Sequence, residues 1–178
     1  MSKDFPTFDE KFSIALCELR IRALLLGGVA CNIYGSTRYS EDIDWWIGPT
    51  EGIDVWIELI LKACLHTKEK YEVVRLRNRT VIGNYGSCQN GPEMKTALKK
   101  IIEEDAVVRL QNKESKVDAF FLPYQLEDFE KAWSRSKPWD QTLRVLSIED
   151  LILTKTGTER CRDLDDIRFL KQVKQNSS

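Results

Sequence analysis

Two aspartates, Asp42 and Asp44, are the strongest candidates for chemistry in this sequence. They alternate with the apolar residues Ile43 and Trp45, which predicts a strand over residues 42–47. Because successive side chains of a strand point to opposite faces, the two carboxylates share one face, roughly 6.6 Å apart. Two ionised carboxylates at that spacing repel each other by about 2 to 3 kcal/mol at an effective dielectric constant of roughly 20. A divalent cation would relieve this repulsion, and we expect Mg²⁺ (or Mn²⁺) held by carboxylate oxygens, water and substrate phosphates.

The aspartate pair is not specific by itself, because the exposed face of an edge strand shows the same pattern. Two further features favour a site. Leu26-Gly27-Gly28 follows a predicted strand and precedes a short helix, where glycines let backbone N–H groups approach a phosphate. Asp118 is a lone acid in the apolar segment 117–122, and a buried acid in a strand usually needs a partner.

In chain order, these segments are an apolar residue with two glycines (26–28), thirteen further residues, the paired aspartates (42–45) and a later aspartate (117–119). This order resembles the motif pattern of the nucleotidyltransferase fold superfamily, related to DNA polymerase β, over about residues 7–170. The resemblance implies a mixed central sheet flanked by helices. It also implies metal-assisted transfer of a nucleoside monophosphate from a nucleoside triphosphate to a hydroxyl group.

The resemblance assigns roles to five residues. Asp42 and Asp44 are expected to hold the metal ion that bridges the triphosphate. Asp118 is expected to complete a second metal position and to help deprotonate the acceptor hydroxyl, so all three aspartates are candidate catalytic residues. Gly27 and Gly28 are expected to contact the phosphates.

Residues 27–30 and 35–44 look most like a small prokaryotic branch of the superfamily, which includes AbiE-type toxin nucleotidyltransferases and small antibiotic nucleotidyltransferases. This similarity implies a nucleoside triphosphate as substrate and an antitoxin or another protein as a partner. Minimal antitoxin nucleotidyltransferases instead have a glycine–serine loop, which this chain lacks at Gly27-Gly28, and this difference argues against the interpretation that the chain is itself an antitoxin.

Two basic residues are candidate nucleotide ligands. Arg38 precedes Asp42 by four residues and could neutralise charge on the triphosphate, or it could be an ordinary surface arginine. Lys155 interrupts an apolar helical stripe, so it is either a lysine that extends to solvent or one that reaches the triphosphate. The segment from Ser147 onward resembles the C-terminal helix pair of the AbiE-type group, where a lysine and a later aspartate line the site. Asp163 and Asp166 are equally good candidates for that aspartate.

Two other groups of residues have an ordinary and a functional interpretation. Arg75, Arg77 and Arg79 alternate along a predicted strand, which suits either a solvated sheet face or binding of RNA phosphates. Trp45 and Trp46 are adjacent, so one should face the core, while the other could pack there too or stack on a base.

Hydrophobic periodicity predicts an α/β (α+β) fold in one domain over 1–178, with a core at about 7–123 and a helical part at about 124–174. Helices are predicted at 7–20, 29–34, 52–66, 94–104, 126–133 and from 147 to about 173, and strands at 23–26, 42–47, 71–77, 80–83, 106–110, 116–122 and 143–146.

Composition excludes several classes of protein. The chain has 178 residues, 42% of them hydrophobic, which excludes a disordered or collagen-like protein. With 27 basic and 28 acidic side chains, the net charge of −1 argues against a protein that coats nucleic acid.

Five scattered cysteines without a C-x-x-C pair predict reduced thiols, and the single histidine, His66, is expected to be structural. Without an apolar signal core or a segment of about 20 apolar residues, we expect a cytoplasmic protein that does not enter membranes.

The leading hypothesis is therefore a metal-dependent nucleotidyltransferase. The alternatives are a catalytically silent nucleotide- or partner-binding protein of the same fold, and a plain interaction domain. The sequence leaves the acceptor open. A transfer RNA requires a continuous basic face, a small molecule requires an enclosed pocket, and a protein requires an apolar patch.

Overall fold

The computed structural model describes residues 7–65, 71–77, 80–87, 91–104, 107–113, 116–121, 125–126 and 128–176. The elements in this part of the chain are α1 (Thr7–Glu18), β1 (Ala23–Leu26), α2 (Gly27–Ile33), β2 (Asp42–Ile47), α3 (Ile53–Leu65), β3 (Glu72–Arg77), β4 (Thr80–Ser87), α4 (Gly91–Glu103), β5 (Val107–Gln111), β6 (Lys116–Phe120), α5 (Phe129–Arg135), β7 (Lys137–Pro138), β8 (Leu143–Val145), α6 (Ile148–Lys155) and α7 (Cys161–Asn176). The predicted α/β class, with a mixed sheet and C-terminal helices, is confirmed.

The strands form one sheet in the order β4-β3-β5-β6-β2-β1-β8-β7. β2 runs parallel to β6 and antiparallel to β1, so it lies near the middle of the sheet. The four residues of β1 are all buried, as expected for a short apolar strand with neighbours on both sides. Because both edges of β2 are paired, the side chains of β2 are held in fixed positions relative to β1 and β6.

The main core lies on the face of β2 that carries Ile43, Trp45 and Ile47, all at most 3% exposed. Helix α4 packs its apolar stripe into this core, with Met94, Leu98, Ile101 and Ile102 at helical spacing. Trp46 points to the other face, where it makes an edge-to-face contact with Phe129 of α5. Both tryptophans are buried, so the possibility that Trp46 stacks on a base is wrong.

The C-terminal helices α6 and α7 pack against each other and against α2. The Ser147 hydroxyl caps α6 by accepting a hydrogen bond from the Asp150 amide at 3.1 Å. Periodicity predicted helix from 147 to about 173, and the resemblance implied a helix pair in this segment; the structure has the pair, with α6 ending at Lys155 and α7 beginning at Cys161. Gly157 has a φ of +78°, a left-handed conformation that breaks the helix between them.

Several smaller expectations also have outcomes. Strand β7 has only two residues and was not predicted, and β4 extends to Ser87 rather than ending at Gly83.

The prediction of five reduced thiols is wrong for one cysteine, because Cys64 is disulfide-bonded. Free thiols are present, as expected, at Cys17, Cys31 and Cys161. His66 lies outside the described residues. None of the described helices has the length and apolar character that crossing a membrane requires.

Candidate active site

The turn between β1 and α2 brings the backbone against the Asp44 side chain. Gly27 has a φ of +70°, and a Cβ atom at this position would lie 1.8 Å from the Asp44 Oδ2 atom. A Cβ atom at Gly28 would lie 2.6 Å from the Arg38 Nη2 atom and 2.4 Å from the Ser40 Oγ atom. At Gly27 the left-handed backbone and the Asp44 carboxylate both require glycine, and at Gly28 a side chain would have to displace Arg38 and Ser40, so the two glycines bring the backbone next to Asp44 and Arg38.

The three predicted aspartates lie together because of the register between β2 and β6. In this parallel pair, Asp44 is directly opposite Asp118, and Asp42 lies two residues earlier on the same face as Asp44. Since neighbouring strands are about 4.8 Å apart, the register brings the carboxylates of Asp44 and Asp118 side by side. Sequence order alone could not reveal this pairing.

Arg109 of β5 is a site residue that the sequence analysis missed. It lies opposite Asp118 in the antiparallel β5–β6 pair. Its Nε and Nη2 atoms donate to the Asp118 Oδ1 and Oδ2 atoms, both at 2.7 Å, and Nη2 also donates to the Asp42 Oδ2 atom at 3.2 Å. The available signal was an arginine between Val108 and Leu110 in an otherwise apolar strand.

The carboxylates of this cluster have perturbed pKa values. Burial, followed by the negative charges of Asp118 and Asp42, raises the pKa of Asp44 to about 7, against the opposing charges of Lys155 and Arg109. Burial also raises the pKa of Asp118, and the hydrogen bonds from Arg109 oppose part of this rise. The raised pKa of Asp44 therefore reflects both its burial and the repulsion from two neighbouring carboxylates.

The oxygen atoms of the cluster are suitable ligands for a hard divalent cation. The Asp42 Oδ1 atom is buried and has no hydrogen-bond partner in the described part of the chain, so it is free to accept a new ligand. Within the same described ranges, no group of three or more His, Cys, Asp or Glu side chains is arranged to hold a metal ion. Both oxygens of Asp118 and one of Asp42 instead accept hydrogen bonds from Arg109.

The second predicted group, Arg38 and Lys155, forms a buried ion-pair network with α7. Arg38 makes two hydrogen bonds to Asp166, at 2.9 and 2.7 Å, and the Lys155 Nζ atom donates to the same carboxylate at 2.7 Å. Burial alone would raise the pKa of Asp166, but the hydrogen bonds from Arg38 and Lys155 outweigh it and lower that pKa. Lys155 also lies 3.6 Å from Asp163, which accepts a hydrogen bond from Thr158. Both candidate aspartates are therefore within reach of Lys155, and Asp166 is the closer.

The two groups of charges are neighbours. Gly28 lies against Arg38, and the preceding residue Gly27 lies against Asp44. The Lys155 charge also lowers the pKa of Asp44, which places the lysine within electrostatic range of the carboxylates. The structure thus brings together the glycine turn, the three aspartates, Arg38 and Lys155.

Among the three alternating arginines, Arg75 is buried and donates to Glu104 at the end of α4, so it does not offer a guanidinium to a ligand. The Arg77 side chain and Arg79 lie outside the described part of the chain.

Comparison of the whole structure with solved structures gives clear similarities. The chain is similar to the antibiotic-resistance factor ANT(2'')-Ia in solution, with a TM-score of 0.51 and 15% identity over 95% of this chain and 86% of that chain. It is also similar to ANT(2'')-Ia in a crystal complex with adenylyl-2''-tobramycin, with a TM-score of 0.50 and 13% identity over 95% of this chain and 92% of that chain. The chain has the nucleotidyltransferase fold. No family model matches the sequence, and neither does any curated protein.

Within this nucleotidyltransferase fold, Gly27→Ala should damage the site as well as the fold. The added Cβ atom would meet the Asp44 carboxylate, and the left-handed backbone costs about 1 to 3 kcal/mol for a residue other than glycine. We expect a fall of at least that size in the free energy of unfolding, measured by urea denaturation. Gly52→Ala is the matched control, since its φ is ordinary and a Cβ atom added there would have no neighbour within 4 Å. Equal stability of the two variants would contradict the described turn.

The raised pKa of Asp44 predicts how stability depends on pH in the metal-free protein. Between pH 3.8 and about 7 the folded state binds a proton at Asp44 more tightly than the unfolded state does, so the free energy of unfolding falls as the pH rises. From pH 5 to pH 8, the deprotonation of Asp44 should lower the free energy of unfolding by about 2 to 3 kcal/mol. Asp44→Asn should remove that part of the fall, measured by urea denaturation with a chelator present. Asp54→Asn, an exposed residue at the start of α3, should keep it.

Proposed function

We propose that the protein is a metal-dependent nucleotidyltransferase, which transfers a nucleoside monophosphate from a nucleoside triphosphate to a hydroxyl acceptor. The observation that carries this proposal is the β2–β6 register, which pairs Asp44 with Asp118 beside the Gly27 turn. A cluster of acids that includes the buried Asp118 and a buried, unpartnered oxygen of Asp42 is costly for a fold unless a cation compensates it. The likeness to ANT(2'')-Ia, at 13–15% identity, supports the fold on which this chemistry occurs.

Asp42, Asp44 and Asp118 would hold the metal, Mg²⁺ or Mn²⁺. When bound, such an ion neutralises phosphate charge and polarises the phosphoryl oxygens. The free Asp42 Oδ1 atom and the pKa of about 7 at Asp44 both support this assignment, because each oxygen would be stabilised by a positive ion.

The remaining site residues would bind the triphosphate. The Gly27-Gly28 turn lacks side chains, so a phosphate can approach its backbone closely. Arg38 and Lys155 would add positive charge, and Asp166 holds both side chains in place through three hydrogen bonds. A fixed guanidinium and ammonium orient a phosphate chain better than mobile surface residues do.

Transfer breaks one phosphorus–oxygen bond and forms another. The acceptor hydroxyl oxygen attacks the α-phosphorus, the bond from that phosphorus to the oxygen shared with the β-phosphorus breaks, and pyrophosphate leaves. The hydroxyl proton would pass to a carboxylate oxygen of Asp118 once Arg109 no longer donates to that oxygen; burial raises the pKa of Asp118 and so favours protonation.

The acceptor is proposed only as a hydroxyl of an RNA, a protein or a small molecule. ANT(2'')-Ia is found with adenylyl-2''-tobramycin, an adenylylated small molecule. An antitoxin or other protein partner is a prediction of the sequence resemblance alone.

A second candidate function is nucleotide or partner binding without catalysis. It is favoured by one observation: Arg109 already neutralises Asp118 and Asp42, so the acids have a cation without any metal. This alternative predicts nucleotide binding without pyrophosphate release.

Substitution of the aspartates tests the proposed transfer. Asp42→Asn and Asp44→Asn should each reduce incorporation of α-labelled nucleotide by at least about 100-fold, because each removes a negative charge that would hold the metal. Circular dichroism should show an unchanged fold. Asp54→Asn, exposed and in α3, should transfer label normally. If the site variants transfer label as well as the control does, the proposed function is wrong.

Fractionation of labelled products tests the acceptor class. The protein is incubated with each α-labelled nucleoside triphosphate and a cell extract, and the label is separated into RNA, protein and small molecules. We expect label in one fraction with wild type and in none with Asp42→Asn. Pyrophosphate release without transferable label would contradict the hydroxyl acceptor, and binding without release would favour the silent alternative.

A further inference from the structure

Arg109 has an unusual position for an arginine, because it lies inside the cluster that the proposed function assigns to a metal. Its strand, β5, is adjacent to β6, and its backbone is opposite Asp118. Its guanidinium therefore lies over the same face of the sheet as the three aspartates. Only 16% of the side chain is exposed.

The contacts of Arg109 use the oxygens that a metal would need. Two parallel N–H donors bind the two Asp118 oxygens at 2.7 Å, and a third contact reaches the Asp42 Oδ2 atom at 3.2 Å. Such a forked arginine–carboxylate pair is among the stronger hydrogen-bonded ion pairs, and its planar geometry fills the space between the acids. Asp118 has no carboxylate oxygen left that is not already accepting from Arg109.

This arrangement places two cations in competition for the same ligands. A divalent ion that needs an Asp118 oxygen or the Asp42 Oδ2 atom as a ligand cannot bind while the guanidinium occupies those three oxygens, since like charges would then lie a few ångströms apart. Asp118 cannot move away easily, because it is 4% exposed and lies in a strand paired on both sides. Arg109 is the partner that can leave, since its side chain is longer than that of Asp118 and more exposed, 16% against 6%.

We propose that Arg109 is a built-in competitor of the divalent cation, which closes the carboxylate cluster in the metal-free protein and must release Asp118 and Asp42 before metal binds. This inference rests on the proposed function, since it concerns the same three acids. Arg109 is a regulatory residue in this scheme, and the cluster is open only in the fraction of molecules in which the guanidinium has left. Apparent metal affinity falls in proportion to that fraction.

The proposal makes opposite predictions for stability and for metal binding. Without Arg109, the metal-free protein loses the partner of a buried carboxylate, so it should unfold at a lower temperature. The same change frees the ligands, so metal affinity should rise. A residue that merely supported the fold would lower both.

The test is a titration of the purified full chain with Mn²⁺, with free Mn²⁺ followed by electron paramagnetic resonance. Arg109→Gln should bind Mn²⁺ at least about tenfold more tightly than wild type. Arg109→Lys keeps the positive charge but cannot make the forked pair, so it should also bind more tightly than wild type, by a smaller factor. Melting temperatures with and without Mn²⁺ should show less stable metal-free variants and larger stabilisation by the metal.

Arg135→Gln is the matched control. Arg135 makes the same kind of contact with a buried acid, donating to Asp150 at 2.7 and 3.3 Å, but the pair joins α5 to α6 outside the proposed cluster. Its removal should lower the melting temperature and leave Mn²⁺ affinity unchanged.

The outcomes separate this inference from the proposed function. If wild type and both Arg109 variants bind Mn²⁺ equally, Arg109 is not a competitor, while the metal site stands. If only Arg109→Gln binds more tightly and Arg109→Lys matches wild type, a general charge effect replaces the competition. If none of the three proteins binds Mn²⁺, both the competition and the metal-dependent function are wrong. Should Arg109→Gln fail to fold, Arg109→Lys decides the question alone.

Discussion

The close approach of three carboxylates, one of them buried, on two neighbouring parallel strands is the constraint on which the rest of the site depends. The β2–β6 register fixes Asp44 beside Asp118, and the strand pleat adds Asp42 on the same face. Negative charges so close together destabilise the fold unless they are protonated, paired or bound to a cation. The protein uses the first two of these devices: the pKa of Asp44 is raised to about 7, and Arg109 pairs with the other two acids.

A second charged network connects the C-terminal helices to this site. Asp166 on α7 accepts hydrogen bonds from Lys155 on α6 and from Arg38 in the segment before β2. Each charge in this network has a partner, so its burial costs little compared with that of an isolated ion. The helices α6 and α7 therefore do more than cover the sheet, because they fix the two basic side chains close to the glycine turn. The break between the helices at Gly157 lets Lys155 and Asp166 approach each other from different helices.

Local patterns predicted much of the fold and most of the residues that the structure brings together at the candidate site. The strands 23–26 and 42–47 agree with the structure at both ends, because an apolar run and a strict alternation are properties of neighbouring residues. Arg109 was missed for the opposite reason: its importance comes from pairing with Asp118 across β5 and β6, and strand register depends on the whole sheet. Strand β7 was not predicted because two residues have no periodicity, and periodicity also missed the break at Gly157, where the left-handed backbone of a glycine ends the helix.

The same arginine that stabilises the metal-free cluster opposes the ligand that the cluster is suited to bind. If Arg109 were absent, the buried Asp118 would lose both hydrogen bonds that its carboxylate accepts from a cation, and folding before metal binding would be less favourable. If Arg109 bound too strongly, the cluster would never open. A partly exposed guanidinium resolves the conflict, because it pairs with the acids in the folded chain and can still leave them for solvent. Under the proposed competition, stability without metal and affinity for metal would therefore be two opposed consequences of one side chain.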